Sequence, residues 1–241
     1  MTPQSPFEEL IHSRRSVRKY DQQHAFDHTA VTKALDLAVL SPNSSNMQLW
    51  EFHRVIDSNK RAELANYCMG QNAAKSANEL VVFTVTPRKW RTRAALNAEY
   101  VRSNFGGRDD AAAKKAYKYY EKLMPFIYNN DRFGLFGLAR KVLTTALGLR
   151  GPMMREVTKS DVRVCLHKSA SLAAMTFMTA MRDQGYDTCP MEGFDSVRIK
   201  KMLGLTRGDE ICMVISCGKR TEEGIYGERM RVDSSDVIFT H

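Results

Sequence analysis

"SPNSSNMQLWEF", residues 41 to 52, joins two unlike halves. Ser41 to Asn46 are the Ser, Pro and Asn of a turn. Trp50 and Phe52 then alternate with polar neighbours, the period of a strand. Upstream, after Asp27, Val31, Ala34, Leu35, Ala38 and Val39 recur at i, i+3, i+4, i+7 and i+8, which predicts a helix ending before Pro42. Helix, polar loop and strand in immediate succession describe an α+β chain. The loop is either a plain connection or a cradle for a polar ligand, and the choice depends on what else the chain supplies.

Working outward, Ser5-Pro6-Phe7-Glu8 reads as a helix start with Ser as N-cap, and Phe7, Leu10 and Ile11 form its apolar face. Residues 50–56 read as a strand, 58–68 as a helix capped by Ser58, and "ELVVFTVT" (79–86) as a buried strand. The middle, 88–160, reads as largely helical from "DDAAAKKAYKYYEKLM" onward. "SASLAAMTFMTAM" (169–181) is apolar or small all round, the pattern of a core helix, and it stops at Gly185. "CPMEGFD" reads as a turn, "SVRIKKMLGL" as a helix closed by Gly204, "EICMVISCG" as a buried strand, and "DVIFTH" as one more short strand. The expectation is a single domain over 1–241 with a basic helical insertion at about 88–160.

At 241 residues, 43% of them hydrophobic, the chain has the apolar matter for a sizeable core. It has no apolar run of membrane-spanning length, and its first residues lack the layout of a signal peptide. Five cysteines without a C-x-x-C pair argue against a disulfide framework or zinc site, so a cytoplasmic setting is expected. The net charge of +9 is local. Residues 88–160 hold 16 Lys or Arg against 6 Asp or Glu, a balance of +10, and the remainder is near neutral. Such an excursion points to an anionic ligand or surface at one place rather than to a general nucleic-acid binder.

"RRSVRKY" sets Arg14, Arg15 and Arg18 around Ser16, a density of guanidinium that asks for a phosphate. "YGERMRVD" places Arg229 and Arg231 on the same side of an extended segment. Taken in order, "RRSVR", "PNSSNMQLW", "PMEGFD" and the late basic pair resemble the nitroreductase family of FMN-dependent oxidoreductases, across residues 7 to 231. Leu49 stands where that family usually has Pro. The resemblance implies a nitroreductase-like fold, a central mixed or antiparallel sheet surrounded by helices, in an intertwined homodimer.

It further implies that Arg14, Arg15, Ser16 and Arg18 hold the FMN phosphate, ribityl chain and pyrimidine edge, and that Arg229 and Arg231 close on the phosphate. Arg14 or Arg18 would supply positive charge for the reduced flavin. Pro42, Asn43, Ser44 and Asn46 would reach the flavin of the second subunit, and Gln71 would face it. Pro190, Met191, Glu192 and Gly193 would run along the ring with their backbone. Hydride transfer from NADH or NADPH to a small-molecule acceptor such as a nitroaromatic or quinone would rest on the flavin, so no catalytic side chain and no metal set is expected.

Alternatives stay open beside this reading. Another FMN reaction (dehalogenation, flavin fragmentation, ring oxidation) fits the same motifs, and a basic protein binding an anionic surface fits the +10 segment. Within that segment, 134–154 is basic and amphipathic, either a lid over the flavin, the preferred reading, or an interfacial membrane helix. Cys165, Cys189 and Trp50 read as packing residues and His167 as a surface residue. The cluster Tyr117, Tyr119 and Tyr120 fits packing, a dimer contact or a lid equally well.

Overall fold

The computed structural model describes residues 5–105, 108, 110–131 and 133–241. The N-terminal residues 1–4 and the expected helix start at Asp109 lie outside them. In chain order the elements are α1 (Pro6–Ser13), α2 (His28–Ala38), β1 (Trp50–Val55), α3 (Ser58–Tyr67), α4 (Asn72–Lys75) and β2 (Glu79–Val85). Then come α5 (Trp90–Asn104), α6 (Ala111–Lys118), α7 (Met124–Tyr128), α8 (Leu135–Leu147), α9 (Lys159–Asp183), β3 (Asp187–Met191), α10 (Ser196–Met202) and β4 (Glu210–Gly218).

Among the described residues the strands form an antiparallel sheet in the order β1-β2-β4-β3. Its central strand β2 is buried throughout, which is why "ELVVFTV" reads as an unbroken apolar run. Its side chains serve two cores by alternation. Val81, Phe83 and Val85 pack with the buried face of α9, where Phe83 and Phe177 approach to 5.4 Å between ring centroids. Leu80 and Val82 face Leu64 of α3, Ala73 and Ala74 of α4 and Ile199 of α10. The sequence also places Glu79 in this strand. Its fully buried carboxylate is matched by Arg54 Nε at 2.6 Å and His28 Nδ1 at 2.6 Å, as a charge taken out of water requires.

Many boundaries follow local chemistry. Ser5 and Glu8 form a complete capping box for α1, and Asp27 caps α2. Gly185 and Gly204 take positive φ just past α9 and α10, as expected. Trp50 is a core residue, buried and stacked on Phe52.

Five expectations are corrected. Asp57, not Ser58, caps α3, because its carboxylate reaches the Lys60 N–H at 2.9 Å. A helix, α5, occupies 90–104, which the basic pattern of that stretch concealed. The core helix is much longer than 169–181. It starts from a Thr158/Asp161 capping box, and one face, with Val164, Leu172 and Met175, is exposed in the single chain. "CPMEGFD" is not all turn, since Cys189–Met191 pair with β4 and the chain leaves the sheet only at Glu192. Finally, "DVIFTH" forms no strand in this chain. Ser234–Asp236 make a short 3-10 turn and Val237, Ile238 and Phe239 are exposed.

Candidate functional site

Contacts along the edge of the sheet bring the two arginine segments together. After α1, the chain runs beside the sheet edge, where Ser16 bridges Thr188 of β3 and the Val17 N–H donates to the Thr188 carbonyl at 3.1 Å. From β4, the chain returns through Glu222–Gly224, and the Arg18 N–H donates to the Gly224 carbonyl at 2.7 Å. A Cβ at residue 224 would stand 2.5 Å from the Lys19 carbonyl, so only glycine lets the two backbones meet. Arg182 of α9 clamps the edge, donating to Asp187 Oδ1 at 2.8 Å and to Ser13 Oγ at 3.2 Å.

The result is a polar cavity of about 260 Å³ whose lining includes Arg14, Arg15, Ser16, Arg18, Arg229 and Arg231. Arg229 donates to the carbonyls of His12 and Arg14, the C-terminal end of α1 that lacks its own partners. Arg15 donates to the Gly227 carbonyl at 2.8 Å. Among the described residues, none of these five guanidiniums has a carboxylate within ion-pair distance. Arg14 Nε and Thr188 Oγ1 are buried without a hydrogen-bond partner. Burial, then Arg229, Arg231 and Arg15, push the Arg14 guanidinium below its ordinary pKa. Glu228 also lines the cavity but pairs with none of the five arginines, so the cluster keeps a large excess of positive charge and an anion with several acceptor oxygens fits it.

The turn after β3 lies against a different neighbour. Gln71 Nε2 donates to the Gly193 carbonyl at 3.0 Å and to the Cys68 carbonyl at 3.1 Å. The Gln71 amide is thereby committed to shaping the turn. Pro190 is half-buried, Met191 buried, and Glu192 and Gly193 exposed. Cys189 is buried beside the arginines. Burial raises its thiol, opposed by Arg18 and Arg14, and burial alone pushes Cys68 up to about 12. Neither thiol is a ready nucleophile.

The loop containing Pro42, Asn43, Ser44 and Asn46 is elsewhere. It shares no lining residue with the arginine cavity and instead borders a second, largely apolar cavity of about 630 Å³. Ser44, Ser45, Tyr119, Phe126, Met153 and Met154 are among that cavity's walls. Ser45, Asn46 and Gln48 adopt positive φ (54°, 49° and 47°), a conformation that costs energy in non-glycine residues and persists only when overdetermined. The overdetermination is visible. Asn97 of α5 donates to the Asn46 carbonyl at 2.8 Å and accepts from its side chain at 3.0 Å. The Asn43 side chain accepts from the Gln48 N–H at 2.8 Å. Tyr120 donates to the Ser45 carbonyl, and the Tyr119 hydroxyl lies 2.6 Å from that of Ser45.

Asn97 and the two tyrosines therefore hold the loop. Of these the sequence signalled only the tyrosines, without a role, because Asn97 sits in an unremarkable helical stretch. Thr188 and Tyr226, which also border the arginine segments, were likewise missed. Cys165 is half-buried on the apolar cavity's wall rather than fully buried, and His167 pairs with Glu210 at 3.2 Å. Among the described residues, no group of His, Cys, Asp or Glu is arranged to hold a metal.

Known proteins share this fold. MhqN of Bacillus subtilis (strain 168), named as a candidate NAD(P)H nitroreductase, is 24% identical over 217 residues, 90% of each chain. The crystal structure of the candidate nitroreductase ydfN of Bacillus subtilis superposes with a TM-score of 0.75 at 21% identity, over 98% of each chain. A candidate nitroreductase of Exiguobacterium sibiricum 255-15, solved in complex with FMN, superposes with a TM-score of 0.68 at 19% identity, over 100% of this chain and 99% of that one. These structural likenesses establish a nitroreductase-like fold. The Nitroreductase family profile matches residues 11–219, and the chain belongs to that family.

Proposed function

We propose that this chain is an FMN-dependent oxidoreductase that accepts hydride from NADH or NADPH and reduces a small, largely apolar acceptor such as a quinone or nitroaromatic, working as a homodimer. The observation that carries the reading is the cavity of five arginines, none in ion-pair contact with a carboxylate among the described residues, with Arg14 Nε buried and unpartnered inside it. Arg14, Arg15, Ser16 and Arg18, closed from the other side by Arg229 and Arg231, would bind the phosphate by charge-assisted hydrogen bonds. The orphan Thr188 hydroxyl is a further donor at that edge. Gln71 would act by fixing the turn at Glu192 and Gly193, so that Pro190–Gly193 present backbone groups in one orientation.

When bound, FMN would supply the two-electron chemistry, which no side chain here provides. The strained loop of Pro42, Asn43, Ser44 and Asn46 would serve the partner's cofactor, since within one chain it borders a different cavity. That apolar cavity, walled by residues of the basic insertion, supports the choice of acceptor class.

Anaerobic titration tests the proposal. The purified protein should bind one FMN per chain with a shifted visible spectrum, and NADH or NADPH should bleach it. A chain that retains no FMN, and whose FMN mixture is not reduced by either nucleotide, would overturn it.

A further inference from the structure

Helix α8 is built inside out. Its buried residues are Gly137, Arg140 and Thr144, at i, i+3 and i+7, while Leu135, Leu138 and Val142 with the same spacing point to solvent and are each more than 60% exposed. Arg140 explains the inward face. Its guanidinium donates to the carbonyls of Val157, Phe126 and Asn129 and to Asn130 Oδ1, tying α8 to the end of α7 and to the lead-in of α9. Asp131 caps the helix, accepting from the N–H groups of Phe133, Leu135 and Phe136. The helix is therefore held rigidly with its apolar side outward. Phe133 and Leu149, both more than 80% exposed, extend that surface at either end. A contiguous apolar face of this kind calls for a partner.

Charge selects the partner. From Phe133 to Arg155 the sequence contains no Asp or Glu, and half-buried Lys141 and Arg155 flank the second half of α8 with exposed Arg150 just beyond its end. Lys141 and Arg155 lock each other and the helix end through the Arg155 and Gly148 carbonyls. A second copy meeting this face across a twofold axis would bring together two segments that each carry four cations and no carboxylate from Phe133 to Arg155. An apolar helix face with cations at its border instead matches the surface of a bilayer bearing anionic lipid, whose headgroups attract the cations while the leucines enter the acyl boundary.

We propose that α8 is an interfacial docking element for anionic membrane surfaces. This inference is independent of the flavin reading and replaces the lid expectation for the outward face of α8, because Leu135, Leu138, Val142 and Leu149 face away from the chain, while Met153 and Met154 stay on the wall of the apolar cavity.

Vesicle sedimentation of the full-length protein with its cofactor decides it. Vesicles of phosphatidylcholine with phosphatidylglycerol should retain the protein at low salt and release it at about 1 M salt, where screening is complete within ~3 Å. Pure phosphatidylcholine should retain far less. The double variant Leu138→Glu, Val142→Glu, both on the exposed face, should bind anionic vesicles at least about tenfold more weakly while keeping its visible spectrum and its mass by light scattering. Wild-type protein left in the supernatant at low salt, equal retention on neutral lipid, or undiminished binding of the double variant would overturn the proposal. So would a double variant that falls from dimer to monomer, since the face would then cover a second chain.

Discussion

Arg229 does two things at once. Its guanidinium satisfies the end carbonyls of α1 and brings a cation to the Arg14 cavity. Replacing it with methionine keeps the stem but removes charged hydrogen bonds of roughly 1.5–3 kcal/mol each. The Arg229→Met variant should therefore bind FMN about tenfold to hundredfold more weakly, measured by titration calorimetry on apoprotein, with a small loss of thermal stability.

His53 makes a prediction about pH. Burial holds its pKa below the ordinary value, and Glu51, 3.6 Å away, opposes this only in part. The unfolded chain thus takes up the proton first as pH falls below about 6.5. This site contributes nothing to the pH dependence above that value and costs stability in the window beneath it. The melting temperature should decline from about pH 7 toward pH 5, and His53→Asn should flatten that slope. An unchanged slope would remove His53 as its source.

Among the elements, the insertion between β2 and α9 depends on one buried cation. Tyr119–Leu123 form a π turn, in which the Met124 N–H reaches back to the Tyr119 carbonyl, just before Pro125, a residue that cannot donate. The same turn aims Tyr119 and Tyr120 at Ser45. Arg140 then fastens α7, α8 and Val157 to one another. Arg140→Met should cost about 2–4 kcal/mol, lost locally because the acceptors it leaves are carbonyls of this insertion. Hydrogen exchange should quicken across 119–157 while β2 and β4 stay protected. Uniform quickening would mean that the insertion and the sheet unfold as one unit.

For the whole molecule, the arginine cavity and the Ser/Asn loop border separate cavities, so a shared site requires a second chain. A chain carrying Arg14→Ala and Arg18→Ala, and another carrying Asn43→Ala, Ser44→Ala and Asn46→Ala, should each hold little flavin. Purified heterodimers of the two have one intact site and one doubly damaged site, and should regain roughly half of the wild-type flavin and turnover. Verified heterodimers that regain neither would show that the loop does not serve the partner's site.

Much of this was legible in the residue order because it is written in local chemistry. The capping residues Ser5 and Asp27, the glycines at 185 and 204, and the apolar runs of β2 and β4 specify their elements through contacts within a few residues. The arginine clusters were legible because like charges packed that densely demand a counterion whatever the fold. What only the tertiary structure decided are relations between distant segments. Asn97 locks a loop 51 residues away, and Gln71 shapes a turn 122 residues away. Cys189–Met191 became strand because β4 offered an edge to pair with, overriding the turn signals of the proline and glycine nearby. The outward face of α8 was hidden for the same reason. Periodicity reveals that a helix has two faces, but which one turns inward was settled by Arg140 finding four acceptors on neighbouring segments.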